Sequence, residues 1–224
     1  MNQATLENIF DRVFDHSFEY LKKLVLANSY TENKKGIRLN GEIISELFSN
    51  LGFEARFQQS IFPEYGEHLI LTCNSGQSKR VVFVSHLDTV YPVEEEVNNN
   101  FTWKQVGSKV YGPGTNDIKG GTILAYLTLV LLKEYRPDFF ASTEWVFILN
   151  ASEERLTDDF SDLIAPIRDG KTIACLVFEM GLVQNKTFWL VESRKGRSAF
   201  EIHITGKGGH AGNDHKEGAN AIVE

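Results

Sequence analysis

Three apolar runs in this chain each end in side chains able to bind a metal, and that pairing restricts the fold more than any other feature. Val81-Val82-Phe83-Val84 leads to His86 and Asp88, Trp145-Val146-Phe147-Ile148-Leu149 to Glu153 and Glu154, and Ile173-Ala174-Cys175-Leu176-Val177-Phe178 to Glu179. In open α/β sheets the ligand crevice lies outside the carboxyl ends of the strands, so residues from three such ends converge though far apart in sequence. Asp117, in a glycine-rich stretch between the first two runs, joins them as a candidate ligand.

The rest of the pattern supplies helices to cover such a sheet. Leu6, Ile9, Phe10, Val13, Phe14, Leu21, Leu24 and Val25 recur at helical spacing and predict one or two amphipathic helices near the start. A further helix is expected over about 37–51, with Gly52 placed to end it. Strands are expected near 53–59, 67–73 and 81–85, followed by a loop rich in Glu and Asn over 94–100. Residues 122–132 are apolar nearly all round, as a helix pressed against a sheet would be, and Pro137 closes that segment. The alternation of strand and helix from 81 to 178 predicts an α/β fold with a mostly parallel or mixed sheet flanked by helices.

From Trp189 onward the character changes. Ser193-Arg194-Lys195-Gly196-Arg197-Ser198 is polar and basic, and the alternating Ala199-Phe200-Glu201-Ile202-His203-Ile204 reads as a new strand. A glycine-rich segment, 206–212, then leads to 218–224, which reads as the opening turns of a helix. The expected organisation is a metal-binding α/β domain over 1–192 and the start of a smaller α+β domain over 193–224. A domain that begins with a strand and stops two turns into a helix cannot close its own core, so the sequence is expected to be a fragment.

Charge narrows the partners. A formal net charge of -7 argues against nucleic acid or an anionic membrane, both of which reward basic patches, and favours a small or peptidic substrate. Cys73 and Cys175 are expected to be buried, inert thiols in a reducing, cytoplasmic setting. Glu7, Asp11, Asp15 and Glu19 interrupt the N-terminal apolar residues, so no signal peptide is expected, and no apolar run approaches membrane-spanning length.

The candidate ligands divide the chemistry among them. His86 and Asp88 stand two residues apart at a strand end, so their side chains leave on the same side, and a carboxylate accepting the second imidazole N–H is the usual support of a histidine ligand. Asp117 lies in Tyr111-Gly112-Pro113-Gly114-Thr115-Asn116-Asp117-Ile118-Lys119-Gly120-Gly121, where glycines permit close backbone approach. This is not a phosphate loop: the lysine is not followed by Ser or Thr, and the glycine spacing fits neither nucleotide fingerprint. Glu153 and Glu154 diverge as neighbours, so one is free to hold metal while the other moves protons. Glu179 follows six nearly pure hydrocarbon residues, where an unpaired carboxylate is costly unless a cation or donor meets it. Singly, a solvated turn or strand end is the commoner fate of His-x-Asp or Glu-Glu; in this order the residues point to a metal centre.

Ser85-His86-Leu87-Asp88-Thr89-Val90-Tyr91-Pro92, Gly112-Pro113-Gly114 through Asp117-Ile118-Lys119-Gly120-Gly121, Ser152-Glu153-Glu154, Phe178-Glu179, Gly206 through His210-Ala211-Gly212, and Gly218-Ala219-Asn220-Ala221 together resemble the M20 family of zinc exopeptidases, in its glutamate carboxypeptidase branch. The resemblance runs from Asn28-Ser29-Tyr30-Thr31 to the last residue. It implies a zinc-exopeptidase-like fold with a lid domain, and a two-zinc site. Asp117 would bridge the metals, with His86 and Glu179 on one and Glu154 on the other. Glu153 would be the general base, Asp88 would orient His86, and the peptide after Asp117 would be cis. His210 would match a lid histidine that stabilises the tetrahedral oxyanion, often in a neighbouring subunit of a homodimer. The implied reaction is carboxypeptidase-like cleavage of an amide bond in a small peptide or N-acyl amino acid.

The family's last histidine ligand and its carboxylate-gripping arginine have no counterpart before the chain stops. A metal left with only Asp117, Glu154 and water is expected to bind weakly, so this chain alone is expected to be an impaired hydrolase. An amino-acid deacylase on the same metal core, or a non-catalytic truncated remnant, are the alternatives. Nitrogen and oxygen ligands of this kind admit cobalt or manganese as well as zinc. His16, His68, His203 and His215 have no motif context and are expected to be incidental or on the surface, and the basic run at 194–197 to be a solvated hinge.

Overall fold

The computed structural model describes residues 3–181, 183–185, 187–193, 195–196, 198, 200–210, 212–213 and 215–222. The chain divides into two compact units, Met1–Leu182 and Val183–Glu224. The boundary expected after residue 192 lies inside the second of them.

The first unit is a mixed five-stranded sheet between two layers. Its strands are β1 (Glu54–Gln59), β2 (Glu67–Cys73), β3 (Lys79–His86), β6 (Thr143–Asn150) and β7 (Thr172–Val177). They lie in the order β1-β2-β6-β3-β7. β1, β2 and β6 are antiparallel neighbours, whereas β6, β3 and β7 run parallel. Helices α1 (Gln3–Leu26), α2 (Lys34–Ser49) and α4 (Lys119–Tyr135) carry apolar faces into the larger core. Asn33 caps α2, its side chain accepting the N–H of Gly36 at 3.1 Å.

Alternation along the strands assigns their two faces. Val81, Phe83, Trp145, Phe147 and Leu149 point to the α1/α2/α4 layer, while Val82, Val146 and Ile148 meet Leu163 of α6 (Phe160–Ile164) on the other side. All eight residues of β6 are buried, as a central strand covered on both faces requires. Truncating Phe147 to alanine is worth about 3–5 kcal/mol of lost packing.

Strand register levels the sheet's carboxyl edge. His86 lies opposite Asn150 of β6, and Val84 lies opposite Val177 of β7. Two residues further on, His86 and Glu179 therefore reach the same height.

Short elements connect these strands. Where a loop was expected, Val93–Asn98 forms a short helix, α3, with Pro92 before it and Glu94, Glu95 and Glu96 in its first turn. Acidic side chains at that end favour the helix dipole, which outweighs the loop-like composition. A hairpin follows, β4 (Lys104–Val106) and β5 (Lys109–Tyr111), and α5 (Pro137–Ala141) starts at the proline that ends α4. Cys73 is buried as expected, but Cys175 is exposed, because β7 is an edge strand with most of its residues open to solvent.

In the second unit, β8 (Val183–Gln184) and β9 (Thr187–Phe188) form a small hairpin, and Lys207 and Ala219 exchange two backbone hydrogen bonds of 2.9 Å. The strand expected over 199–204 is absent among the described residues 200–204, with Phe200, Ile202 and Ile204 exposed. No helix forms over the described residues 218–222 either. Alternation stabilises a strand only where a neighbouring strand completes its ladder, and these residues pair with none among the described residues. Arg194, Arg197, Ala199, Ala211 and Asp214 lie outside the described residues.

Candidate metal centre

β3 delivers His86 to the carboxyl edge with its ring buried. Nδ1 lies 3.0 Å from the carbonyl oxygen of Asp88, which only accepts hydrogen bonds, so Nδ1 carries the proton. Nε2 is left as the ligand atom. It faces Asp117 Oδ1 at 2.9 Å and Glu179 Oε1 at 3.7 Å.

The Asp88 carboxylate lies beside the imidazole and also serves a second segment. Oδ1 stands 3.4 Å from His86 Nδ1, and the carboxylate takes three shorter hydrogen bonds from donors of other segments. Oδ1 accepts the N–H of Glu153 at 3.1 Å, and Oδ2 accepts the N–H of Glu154 at 3.2 Å and the hydroxyl of Thr31 at 2.8 Å. The turn Glu153–Arg155 is thereby anchored to β3. Its start is fixed by Asn150, whose Oδ1 accepts the N–H of Ser152 at 3.1 Å. Thr31 was not singled out by sequence reasoning beyond its place in the Asn28–Thr31 match, because a lone threonine carries no signal of its partner.

Glycines explain how Asp117 and Glu179 approach one another. A Cβ on Gly121 would lie 2.0 Å from the Phe178 carbonyl oxygen, and one on Gly120 would lie 2.2 Å from that of Thr115. Only glycine lets the start of α4 press against the end of β7. The peptide between Asp117 and Ile118 is cis, as the resemblance implies. Lys119 is buried, and its Nζ donates to the carbonyls of Leu24 at 2.8 Å and Ala27 at 3.2 Å, satisfying the C-terminal end of α1. Burial pulls its pKa down to about 7, against a weaker pull upward from Glu96.

Two trios result among the described residues: His86, Asp117 and Glu179, and His86, Glu153 and Glu154. Within each, the ligand atoms all lie within 4.8 Å of one another. Ligand atoms about 2.0–2.1 Å from a tetrahedral ion stand about 3.4 Å apart, so the 2.9 and 3.7 Å separations around His86 Nε2 bracket that value. One imidazole with several carboxylates is a donor set suited to a divalent cation.

The electrostatics fit the same reading. Burial alone would depress the His86 pKa, but hydrogen bonds with Asp117 and Asp88 and the charges of Asp88 and Glu153 hold it at about 11. The hydrogen bond with His86 lowers Asp117 despite partial burial. Glu154 is pushed up to about 7, first by burial, with the Asp117, Asp88 and Glu153 charges adding to it and His86 opposing. Carboxylates this crowded need a positive charge among them, and a proton on His86 and a cation at Nε2 are competing ways to supply it.

His210 belongs to the second unit, exposed, where its Nδ1 accepts the N–H groups of Gly212 at 3.1 Å and Asn213 at 3.2 Å. His203 is exposed beside Glu201. His68 contradicts the sequence expectation: it is fully buried at the start of β2 and bonded at both ring nitrogens.

An α/β sheet with imidazole and carboxylates converging at its carboxyl edge is the arrangement of a metallopeptidase-type fold. Comparison with known proteins agrees. The chain is 30% identical over 204 residues to carboxypeptidase G2 of Pseudomonas sp. (strain RS-16), spanning 91% of this chain and 48% of that protein. It is 25% identical over 206 residues to succinyl-diaminopimelate desuccinylase of Rickettsia prowazekii (strain Madrid E), spanning 88% and 52%. The structure of human carnosine dipeptidase 1 superposes with a TM-score of 0.58 at 18% identity, over 77% of this chain and 40% of that one. No family model matches the chain. The chain is thus similar in sequence to carboxypeptidase G2 and similar in fold to an M20 family metallo-carboxypeptidase from Sulfolobus solfataricus, which superposes with a TM-score of 0.57 at 16% identity over 74% of this chain and 38% of that one. It spans about half the length of the curated relatives it matches. No helix among the described residues is long and apolar enough to cross a membrane.

Proposed function

We propose that this chain forms the metal-binding part of a hydrolase that cleaves an amide bond in a small peptide or an N-acyl amino acid, with carboxypeptidase-like action. The observation that carries this reading is the convergence on one imidazole of carboxylates from three other segments. His86 and Glu179 would hold one zinc ion, Glu154 a second, and Asp117 would bridge them; cobalt and manganese suit the same donors. Bound zinc supplies Lewis acidity toward the amide carbonyl and lowers the pKa of water.

The chain's own groups do the rest. Glu153, with its backbone N–H tied to Asp88 and its carboxylate within 4.8 Å of the His86 ligand atom, takes the proton of the attacking water and passes it to the leaving amine. Asp88 keeps that glutamate and Glu154 at a fixed height relative to His86. His210 would stabilise the oxyanion from a lid that begins around residue 193, in a homodimer of the whole protein. The two unpaired thiols support a cytoplasmic setting.

The similar proteins include a carboxypeptidase and a desuccinylase, so the deacylase reading keeps a specific support. The test is hydrolysis of N-acylated glutamate, dipeptides and N-acylated diamino acids before chelation, after it, and after zinc is restored. Cleavage that stops on chelation and returns with zinc is expected, and the preferred substrate separates carboxypeptidase from deacylase. Full activity in metal-free protein would overturn the reading.

A further inference from the structure

The segment that carries Glu153 and Glu154 is held at both ends by a single buried side chain that the metal site does not use. His68 Nδ1 accepts the backbone N–H of Ala151 at 3.1 Å, two residues before Glu153. Its Nε2 lies 2.9 Å from Asp159 Oδ2, four residues beyond Arg155. Because Ala151 N–H can only donate, Nδ1 is the unprotonated nitrogen, and Nε2–H donates to the Asp159 carboxylate. Ser60 donates to the same oxygen at 2.5 Å, and the Ser60 hydroxyl in turn accepts the N–H of Phe62 at 3.1 Å. His68, Asp159 and Ser60 are all buried.

We propose that His68 is a positioning residue of the metal centre, an imidazole staple that closes the 151–159 segment against β2 and so sets where Glu153 and Glu154 stand relative to His86. The proposal deepens the hydrolase reading above and rests on it. A serine, a histidine and an aspartate together suggest a nucleophilic triad, but the hydroxyl bonds the aspartate instead of the imidazole, and all three are sealed from solvent. That excludes the order in which a histidine activates a serine. The geometry instead matches a support for ligands. Within the segment, Ser152 and Thr157 hydroxyls meet at 2.6 Å, so the span is braced internally and moves as a unit between its two anchors. With Asp88 gripping the middle of the segment and His68 its ends, neither glutamate can drift independently of β2 and β3.

Removing an outer support of this kind weakens a metal site by about 10–100-fold. The test compares wild type, His68→Leu, His68→Gln, Glu154→Gln and the double variant by zinc titration against a competing chelator, with amide hydrogen exchange of metal-free protein alongside. His68→Leu is expected to weaken zinc binding about tenfold and to speed exchange across 151–154. His68→Gln, which keeps an acceptor and a donor at the far end, should regain part of both. If His68 acts through Glu154, the double variant should bind zinc no more weakly than the poorer single variant. Additive losses, or unchanged exchange across 151–154 in His68→Leu, would overturn the staple. Wild-type protein that binds no zinc while exchange responds to His68→Leu would instead overturn the metal reading and leave the staple standing.

Discussion

Asp88 Oδ1 accepts the backbone N–H of Glu153 at 3.1 Å, so one carboxylate joins the strand that ends in His86 to the turn that carries two glutamates. The bond spans 65 residues of sequence. It explains how neighbouring acidic side chains keep their places without a helix or strand of any length beneath them.

Asp88→Asn removes the charge from this junction and turns an amide group toward backbone donors. Hydrogen bonds to a buried charged group are worth about 1.5–3 kcal/mol each, so a net loss of about 2–4 kcal/mol is expected from urea unfolding of metal-free protein. Thr31→Val, which removes one hydroxyl donor, should cost about 1 kcal/mol. A smaller loss from Asp88→Asn than from Thr31→Val would contradict this role.

Gly121→Ala places a Cβ 2.0 Å from the Phe178 carbonyl oxygen, so α4 and the end of β7 must separate. Overpacking of this kind costs about 1–3 kcal/mol. Because Asp117 and Glu179 ride on those two segments, zinc affinity should fall along with stability. A chelator-competition titration showing unchanged affinity would mean the close approach serves packing alone.

Zinc and protons compete for the same site, and the sign follows from the two raised pKa values. His86 titrates at about 11 in the folded, metal-free chain against an ordinary 6.5, so the stability it contributes is fully present below pH 6.5 and lost as pH rises through 11. Glu154, raised to about 7 from 4.5, likewise contributes stability below pH 4.5 that is lost as pH rises through 7. Binding a cation requires both groups to shed their protons. Calorimetry in buffers of different ionisation enthalpy should find about one proton released per ion at pH 8, from His86, rising toward about two at pH 6 as Glu154 joins it. Zinc binding at pH 6 without proton release would show that the ion sits elsewhere.

Much of this architecture was legible because buried parallel strands announce themselves as unbroken apolar runs. Val81–Val84 and Trp145–Leu149 gave strands, and the polar residues just beyond them gave the edge. The junctions were not legible. His68 sits at the head of an ordinary strand, and its partners Ala151 and Asp159 lie 83 and 91 residues away, so nothing local distinguished it from a surface histidine. The Asp88 carboxylate was expected beside the imidazole, from which it stands 3.4 Å; its further bonds to the backbone of Glu153 and Glu154 depend on tertiary placement that spacing does not encode. Residues 93–98 read as loop from their Glu and Asn content, yet the same acids stabilise a helix start. The alternation over 200–204 promised a strand that finds no neighbour to pair with among the described residues.

The most direct test is a crystal of the metal-loaded protein measured at the zinc absorption edge. An anomalous peak within about 2.0–2.2 Å of His86 Nε2 and of oxygens from Asp117 and Glu179 is the predicted result. A peak bound by other residues, or none at this edge of the sheet at full zinc loading, would contradict it.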